Sequence, residues 1–301
     1  MVGSRSHPFA SIRKLGPWAL NAPALAVVGG LVLYPLVYSF WLSLHRDNLA
    51  QPDRYRFIGV ENYRTLLGDP NFWQSLKITV FFTVVSVVLT VTLGLLAALV
   101  LNAGFPGRVV LRSIILIPWA IPPVVNGLMW KLAYNANFGV LDGTLTKLGL
   151  IHQYIAWLST PNLAVSATLV AQVWNFFPIA VIVLLAGLQT VPKELAEAAR
   201  IDGARAVSQF LHITLPHLAG SLLIVLILET MIGFRIFDVI YVLTFGGPGT
   251  ATSSLAWQAY TIAFSNLDLG YGNAWAYAIA LILGSVAAVY IAVISPRQID
   301  A

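Results

Sequence analysis

The sequence predicts an all-α polytopic membrane protein with six transmembrane helices, and three observations lead there. Six apolar stretches, about 18–44, 76–103, 109–133, 162–190, 219–245 and 274–295, are each long enough to cross ~30 Å of hydrocarbon as a helix. Hydrophobic residues make up 58% of the 301 and charged residues 10%, with a mean hydropathy of +0.80; a soluble domain carries about 25% charge. No linker, internal repeat or low-complexity segment separates the six stretches, so they form one membrane domain over 18–295, between a short N-terminal segment (1–17) and a tail (296–301).

The first stretch follows Arg5, Arg13 and Lys14 and has the look of a secretory signal. It runs from Trp18 to Leu44, far beyond the ~7–15 apolar residues of a signal core, and is read as an uncleaved first span. The loop after it, "RDNLAQPDRYRFIGVENYRTLLGDPNFWQSLK", has room for a short amphipathic helix on the membrane surface, with Leu66, Leu67, Phe72 and Trp73 facing lipid or the next span. Span three, "RSIILIPWAIPPVVNGLMWKLA", carries Pro118, Pro122 and Pro123. Each proline removes a helix hydrogen bond, so this span should kink and pack where protein can satisfy the freed carbonyls. Trp18, Trp41, Trp73, Trp119, Trp130 and Trp157 fall mostly near predicted span ends, where interfacial aromatics are favoured.

Six spans place both termini on one side. With the termini inside, nine Lys and Arg residues lie in inner segments (Arg5, Arg13, Lys14, Arg108, Arg112, Lys193, Arg200, Arg205, Arg297) against seven outside, a small bias in the positive-inside direction. The net charge of +5 comes without a basic block, which speaks against nucleic acid, and the absence of cysteine excludes disulfides and thiolate metal sites. His7, His45, His152, His212 and His217 form no H-E-x-x-H pair, no G-x-S-x-G occurs, and no G-x-x-x-x-G-K-[ST] loop is present to bind ATP. "TFGGPGTATSS" (244–254) is glycine-rich but lacks Gly-Lys; it suits an outer gate or a docking surface for another protein.

Between spans four and five lies "TVPKELAEAARIDGARAVSQFLHITLP", charged, Ala-rich and without a long apolar run. Pro192 suits a first turn, Glu194 sits near the positive end of a helix dipole, and Gly203 permits the left-handed conformation that ends a helix. Asp202 is placed to cap a second short helix, Ala204 to His212, ending before Pro216. The result is a bent helical hairpin over about 191–218, with an Ala face small enough for close approach by another protein. An amphipathic connector resting on headgroups fits the same residues.

At this point the residues carry a resemblance. Glu197-Ala198-Ala199, Gly203 four positions on, and Ile213-x-Leu215-Pro216 after nine more, with Asp202 and Phe210 between, resemble the EAA motif of ABC importer permeases. "FIGVENYRTLL", "RSIILIPWAIPPVV" and "FRIFDVIYVLTFGGPGTATSSL" are similar to segments of the maltose-type carbohydrate importers, so the resemblance runs from about Pro35 to the last span. It implies a type I ABC importer (MetI-like) permease fold with cytoplasmic termini, in the plasma or inner membrane of a prokaryote. It implies that the hairpin is the coupling helix, docking through Glu197, Ala198, Ala199, Asp202, Gly203, Phe210, Ile213, Leu215 and Pro216. The implied partners are a second permease, two ATPase subunits that bind the ATP and Mg²⁺, an external solute-binding protein, and a sugar of the di- or oligosaccharide class such as trehalose or maltose. The chain itself would be non-catalytic and would hold no cofactor or metal.

Candidate sugar contacts follow on both sides of the hairpin. Gln172, Asn175 and Phe176 share a face of span four, where amides suit hydroxyls and an aromatic ring suits the apolar face of a pyranose. In span five Glu229, Arg235 and Asp238 cost ~2.5–3.5 kcal/mol each at mid-membrane unless they face protein or a wet cavity. Arg235 and Asp238, three apart on a helix, can pair with each other, whereas Glu229 has no partner in its own span and is free to accept from a sugar. The resemblance adds Trp174 and Gly233 to this pathway. An ion-coupled secondary transporter explains the buried charges too, but not the EAA spacing; a channel needs no docking hairpin.

Overall fold

A computed structural model describes residues 21–294; the expected N-terminal segment 1–17, the start of the first span before Asn21, and the tail 296–301 lie outside the described residues. The chain divides into two compact units, Met1–Leu66 with Ile262–Tyr277, and Leu67–Thr261 with Ala278–Ala301.

In the first unit α1 (Asn21–Ser43) is a long apolar helix with a π-turn at Gly29–Leu33, and its side chains are almost all exposed. A two-stranded antiparallel hairpin follows, β1 (His45–Arg46) with β2 (Arg56–Phe57), where a loop was expected. α2 (Glu61–Gly68) begins the "ENYRTLL" segment, and its polar residues staple it to the end of α1. The Asn62 amide donates to the carbonyls of Ser43 (2.8 Å) and His45 (2.9 Å), and Tyr63 and Ser43 hydroxyls share a 2.7 Å bond. The unit closes against the start of a late helix, α14 (Leu269–Ile294), where a Cβ on Gly270 would run into the His45 carbonyl. The expected single amphipathic face of Leu66, Leu67, Phe72 and Trp73 is not formed. Leu66 and Phe72 are buried while Leu67 and Trp73 are about half exposed, because Asp69 ends one helix and starts another.

The second unit is built on two long helices and one shorter one. α3 (Pro70–Asn102) starts at an Asp69 cap, whose carboxylate accepts from the Asn71 N–H, with Pro70 at the first helical position. After a break come α4 (Arg108–Ala120), α5 (Pro123–Ala133) and a short α6 (Val140–Lys147); α7 (Pro161–Gln189) is again opened by a proline. α3 buries Ser75, Thr79, Thr83, Ser86, Thr90, Gly94 and Ala98, a one-face stripe of small residues, and exposes Val80, Val84, Val88 and Val100. This reversal of the soluble pattern lets helices approach closely where lipid gives no hydrophobic drive between them. A Cβ on Gly94 would sit 2.6 Å from that of Ala180 in α7, and one on Gly187 would overlap Ser221 of α11 (Ala219–Phe234). Ala98, Ala180, Leu184, Leu218 and Val225 fill the space between them.

Four described helices are long and apolar enough to cross a membrane: Asn21–Ser43, Pro70–Asn102, Pro161–Gln189 and Leu269–Ala292. The expected third span is two helices, α4 and α5, meeting at 97°. Ile121, before Pro122, takes an extended conformation that no helix continues through, so the expected kink becomes a full break. The expected fifth span, 219–245, is also not one helix. α11 ends at Phe234 and α12 (Asp238–Leu243) restarts after a turn, so neither piece alone reaches spanning length.

Candidate functional site

The two broken helices come together. A Cβ on Gly127 of α5 would lie 2.9 Å from Val242 Cβ of α12, and Lys131 Nζ donates 2.9 Å to the Val242 carbonyl, a cation at a helix C-terminus. α5 is fixed to α7 by the buried Asn126, whose amide donates to the Ala171 carbonyl at 3.1 Å, and by Tyr134, whose hydroxyl donates to Ala167. Where the breaks meet, a cavity of about 240 Å³ opens, lined by Pro123 of α5, Gln172 and Phe176 of α7, and Ile232 to Val239 in part. Helix ends and irregular backbone at membrane depth are tolerated where they border a polar cavity, and broken helices of this kind build substrate sites in transporters.

Of the residues expected on the pathway, Gln172, Phe176, Arg235 and Asp238 line this cavity. Arg235 and Asp238 are not the expected ion pair: among the described residues no charge pair joins them within 4 Å. The helix ends at Arg235, so the three-residue spacing that would align them on one face does not exist. Both border the cavity, unpaired with each other.

The other four do not line it. Trp174 turns its indole edge-on to Trp130, with centroids 5.8 Å apart. Gly233 is a contact glycine, since a Cβ there would lie 3.1 Å from Thr83 Cα and 3.0 Å from Ser86 Oγ. Glu229, one helical turn earlier on that face, is 2% exposed, and its Oε1 has no hydrogen-bond partner. Asn175 donates through Nδ2 to the carbonyls of Pro118 (2.5 Å) and Ile121 (3.2 Å). These are carbonyls at the broken end of α4, so the expected partner of the prolines is this amide. Substituting Asn175 by leucine should therefore destabilise the chain by about 1–3 kcal/mol, the usual cost of leaving buried polar groups unpaired, read as a lower thermal midpoint in detergent.

The hairpin between α7 and α11 is α8 (Lys193–Ile201), then α9 (Ala206–Gln209), a π-turn (Phe210–Thr214) and α10 (Leu215–His217). α8 ends in a Schellman motif: Gly203 has φ +78°, its N–H bonds to the Arg200 carbonyl, and the Ala204 N–H reaches back to Ala199 at 2.9 Å. Asp202 is the last residue of this turn and does not cap the next helix, whose cap position is Arg205. The second helix does not stop before Pro216 either. The Leu215 N–H bonds five residues back to Phe210, and Pro216, at a first-turn position that needs no N–H, is carried through. Glu197, Ala198, Asp202, Gly203 and Pro216 are exposed, Ala199, Phe210, Ile213 and Leu215 partly so, and apolar Ile201 (87%) and Val207 (70%) face out beside them.

Residues 90–300 match the family model described as binding-protein-dependent transport system inner membrane component. The chain belongs to this family. Among relatives of the permease, the trehalose/maltose transport system permease protein MalF of Thermococcus litoralis is 43% identical over 281 residues, 93% of each chain. The trehalose transport system permease protein SugA of Mycobacterium tuberculosis is 36% identical over 96% of this chain and 90% of its own. The sulfoquinovosyl glycerol transport system permease protein SmoG of Agrobacterium fabrum is 37% identical over 93% and 90%. In fold, the permease resembles a chain of a bacterial alginate ABC transporter (TM-score 0.79, 18% identity, 95% and 96% covered).

Sequence reasoning missed Pro123, Ile232, Ile236, Phe237 and Val239 as cavity residues. Phe237 also opens an aromatic cluster in the permease, its ring 5.0 Å from that of Tyr260 and 5.5 Å from that of Tyr241, with Trp257 beside all three. The tandem prolines were the available signal for Pro123. Nothing in "FRIFD" announces a helix break at Phe237.

Proposed function

We propose that this permease forms half of the translocation pathway of an ATP-driven, binding-protein-dependent sugar importer in a prokaryotic plasma membrane. The observation that carries the reading is the cavity at the junction of two broken helices. It offers an amide (Gln172), an aromatic ring (Phe176), a cation (Arg235) and an acid (Asp238). These are hydrogen-bonding and stacking groups without a net charge, as a neutral sugar wants. The names of the relatives support the trehalose and maltose class of di- and oligosaccharides.

In this reading six spans cross the membrane, the bent α4–α5 pair and the α11–α12 pair each counting as one, and both termini are cytoplasmic. The hairpin over 191–218 is then cytoplasmic too, and its exposed Ile201, Val207 and Ala198 are the surface that an ATPase subunit covers. ATP and Mg²⁺ are bound by two such subunits, a second permease supplies the other half of the pathway, and a solute-binding protein delivers the sugar outside. Closure of the ATPases pushes the hairpin, and α10 and α11, nearly continuous with it, carry the push to Arg235.

Purification of the tagged chain from its native cells in mild detergent tests this. The expected result is recovery of an ATPase and a second permease, lost when Glu197 is changed to lysine. A stable homodimer without any ATPase would overturn the reading.

A further inference from the structure

A second cavity, of about 270 Å³, lies at the end of the bundle where α3 stops, α4 starts and α7 stops. Its polar groups are gathered at that end: Arg112 in the second turn of α4, and Gln189, the last residue of α7. Its walls run inward along Ile115, Val181, Ile182 and Leu185. The eight helical steps from Gln189 back to Val181 give an apolar depth of ~12 Å. A slot that is polar only at the rim and apolar below has the profile of one lipid chain with its headgroup.

Arg112 decides what the headgroup must be. One of its N–H groups donates 3.0 Å to the Leu101 carbonyl, which caps the C-terminal turn of α3. That role uses one of five guanidinium donors. Nε is buried without a partner, and among the described residues no carboxylate lies within 4 Å of Arg112. Arg108, exposed one turn earlier, and the first turn of α4, which follows Gly107 with no side-chain cap on its N–H groups, offset the negative C-terminal ends of α3 and α7. A cation with no carboxylate partner, near a helix end and above an apolar slot, calls for an anionic acceptor with a hydrocarbon tail.

We propose that this slot binds an anionic phospholipid, with a phosphate oxygen on Arg112 and one acyl chain lying along Ile115, Val181, Ile182 and Leu185. Basic pockets between membrane helices at headgroup level bind such lipids on the same principle. A soluble phosphate satisfies the cation but leaves the slot unused, and a zwitterionic lipid fills the slot but places its own cation beside Arg112. The site is separate from the sugar cavity and does not depend on which sugar is carried.

The test is the thermal midpoint of the purified, assembled transporter titrated with dioleoyl phosphatidylglycerol, dioleoyl phosphatidylcholine and inorganic phosphate. Phosphatidylglycerol is expected to raise the midpoint at the lowest concentration. Arg112→Gln should weaken its effect about tenfold, the usual consequence of losing one charge-assisted hydrogen bond, without altering the response to phosphatidylcholine. Ile182→Trp, at a 43% exposed position, should fill the slot and abolish the selectivity while leaving the Arg112 to Leu101 bond in place. The second variant keeps the test decisive if the first fails to fold. Equal effects of the two lipids, a full effect of phosphate alone, or a selectivity that survives Ile182→Trp would each overturn the site. So would loss of the sister permease on Ile182→Trp, which would make the slot a subunit interface.

Discussion

Replacement of Gly203 by valine is expected to cut sugar uptake by about an order of magnitude while the chain still inserts and the helices still pack. Gly203 has φ +78°, a conformation that costs a residue with a Cβ roughly 1–2 kcal/mol and a β-branched residue more. Open space surrounds the position, so backbone strain and not a clash carries the effect. A shift of 1–2 kcal/mol changes the population of the closed Schellman turn by a factor of roughly 5–30. The hairpin would then present Glu197, Ala198 and Ala199 in the docking geometry only part of the time. Gly203→Asn is the matched control, because asparagine visits the left-handed region more readily and should retain most of the uptake. Sugar-stimulated ATP hydrolysis by the assembled transporter, measured for both variants, separates coupling from assembly. Parental rates in the valine variant would remove Gly203 from the coupling device.

Arg235 and Asp238 give the second large effect, and here the expected pattern distinguishes two readings. If they formed an ion pair, exchanging them, Arg235→Asp with Asp238→Arg, would restore what each single change destroys. Both line the cavity without pairing with each other, so on the proposed reading Arg235→Gln and Asp238→Asn should each weaken sugar uptake about tenfold, the scale of one hydrogen bond to a charged group. The exchange should rescue neither. Uptake kinetics in cells that express the whole system measure this directly, and recovery in the exchanged variant would restore the ion-pair reading.

That contrast shows where the sequence was legible. Hydropathy located the four unbroken long helices, with starts off by up to six residues, because in lipid a single variable, apolar length, decides what can span. The prolines announced that the third span would not be straight. Its 97° turn was beyond them, since that angle depends on Asn175 reaching two carbonyls from another helix. The fifth span looked continuous because "FRIFD" contains no proline or paired glycine, and the assumed helix then brought Arg235 and Asp238 onto one face that does not exist. Glu229 was singled out as a ligand acceptor for its isolation in the sequence. What the sequence did not show is that Gly233, one turn on, meets Thr83 and Ser86 of α3, and that Glu229 itself is buried. Spacing along one helix is visible in a sequence; which neighbour that helix faces is not.

The size of the sugar cavity bears on how fast a carrier of this design can work. At about 240 Å³, against the ~10–15 Å³ of such space that a single water needs, it has room for many waters. A sugar that enters must strip these and shed its own hydration, replacing hydrogen bonds it already had with a similar number to Gln172, Arg235 and Asp238. The exchange is close to even, so occupancy is favourable without being deep. In the proposed reading, a binding step with little net gain has a short residence time, and the energy of ATP on a partner subunit would set the direction of travel and not tear the cargo loose.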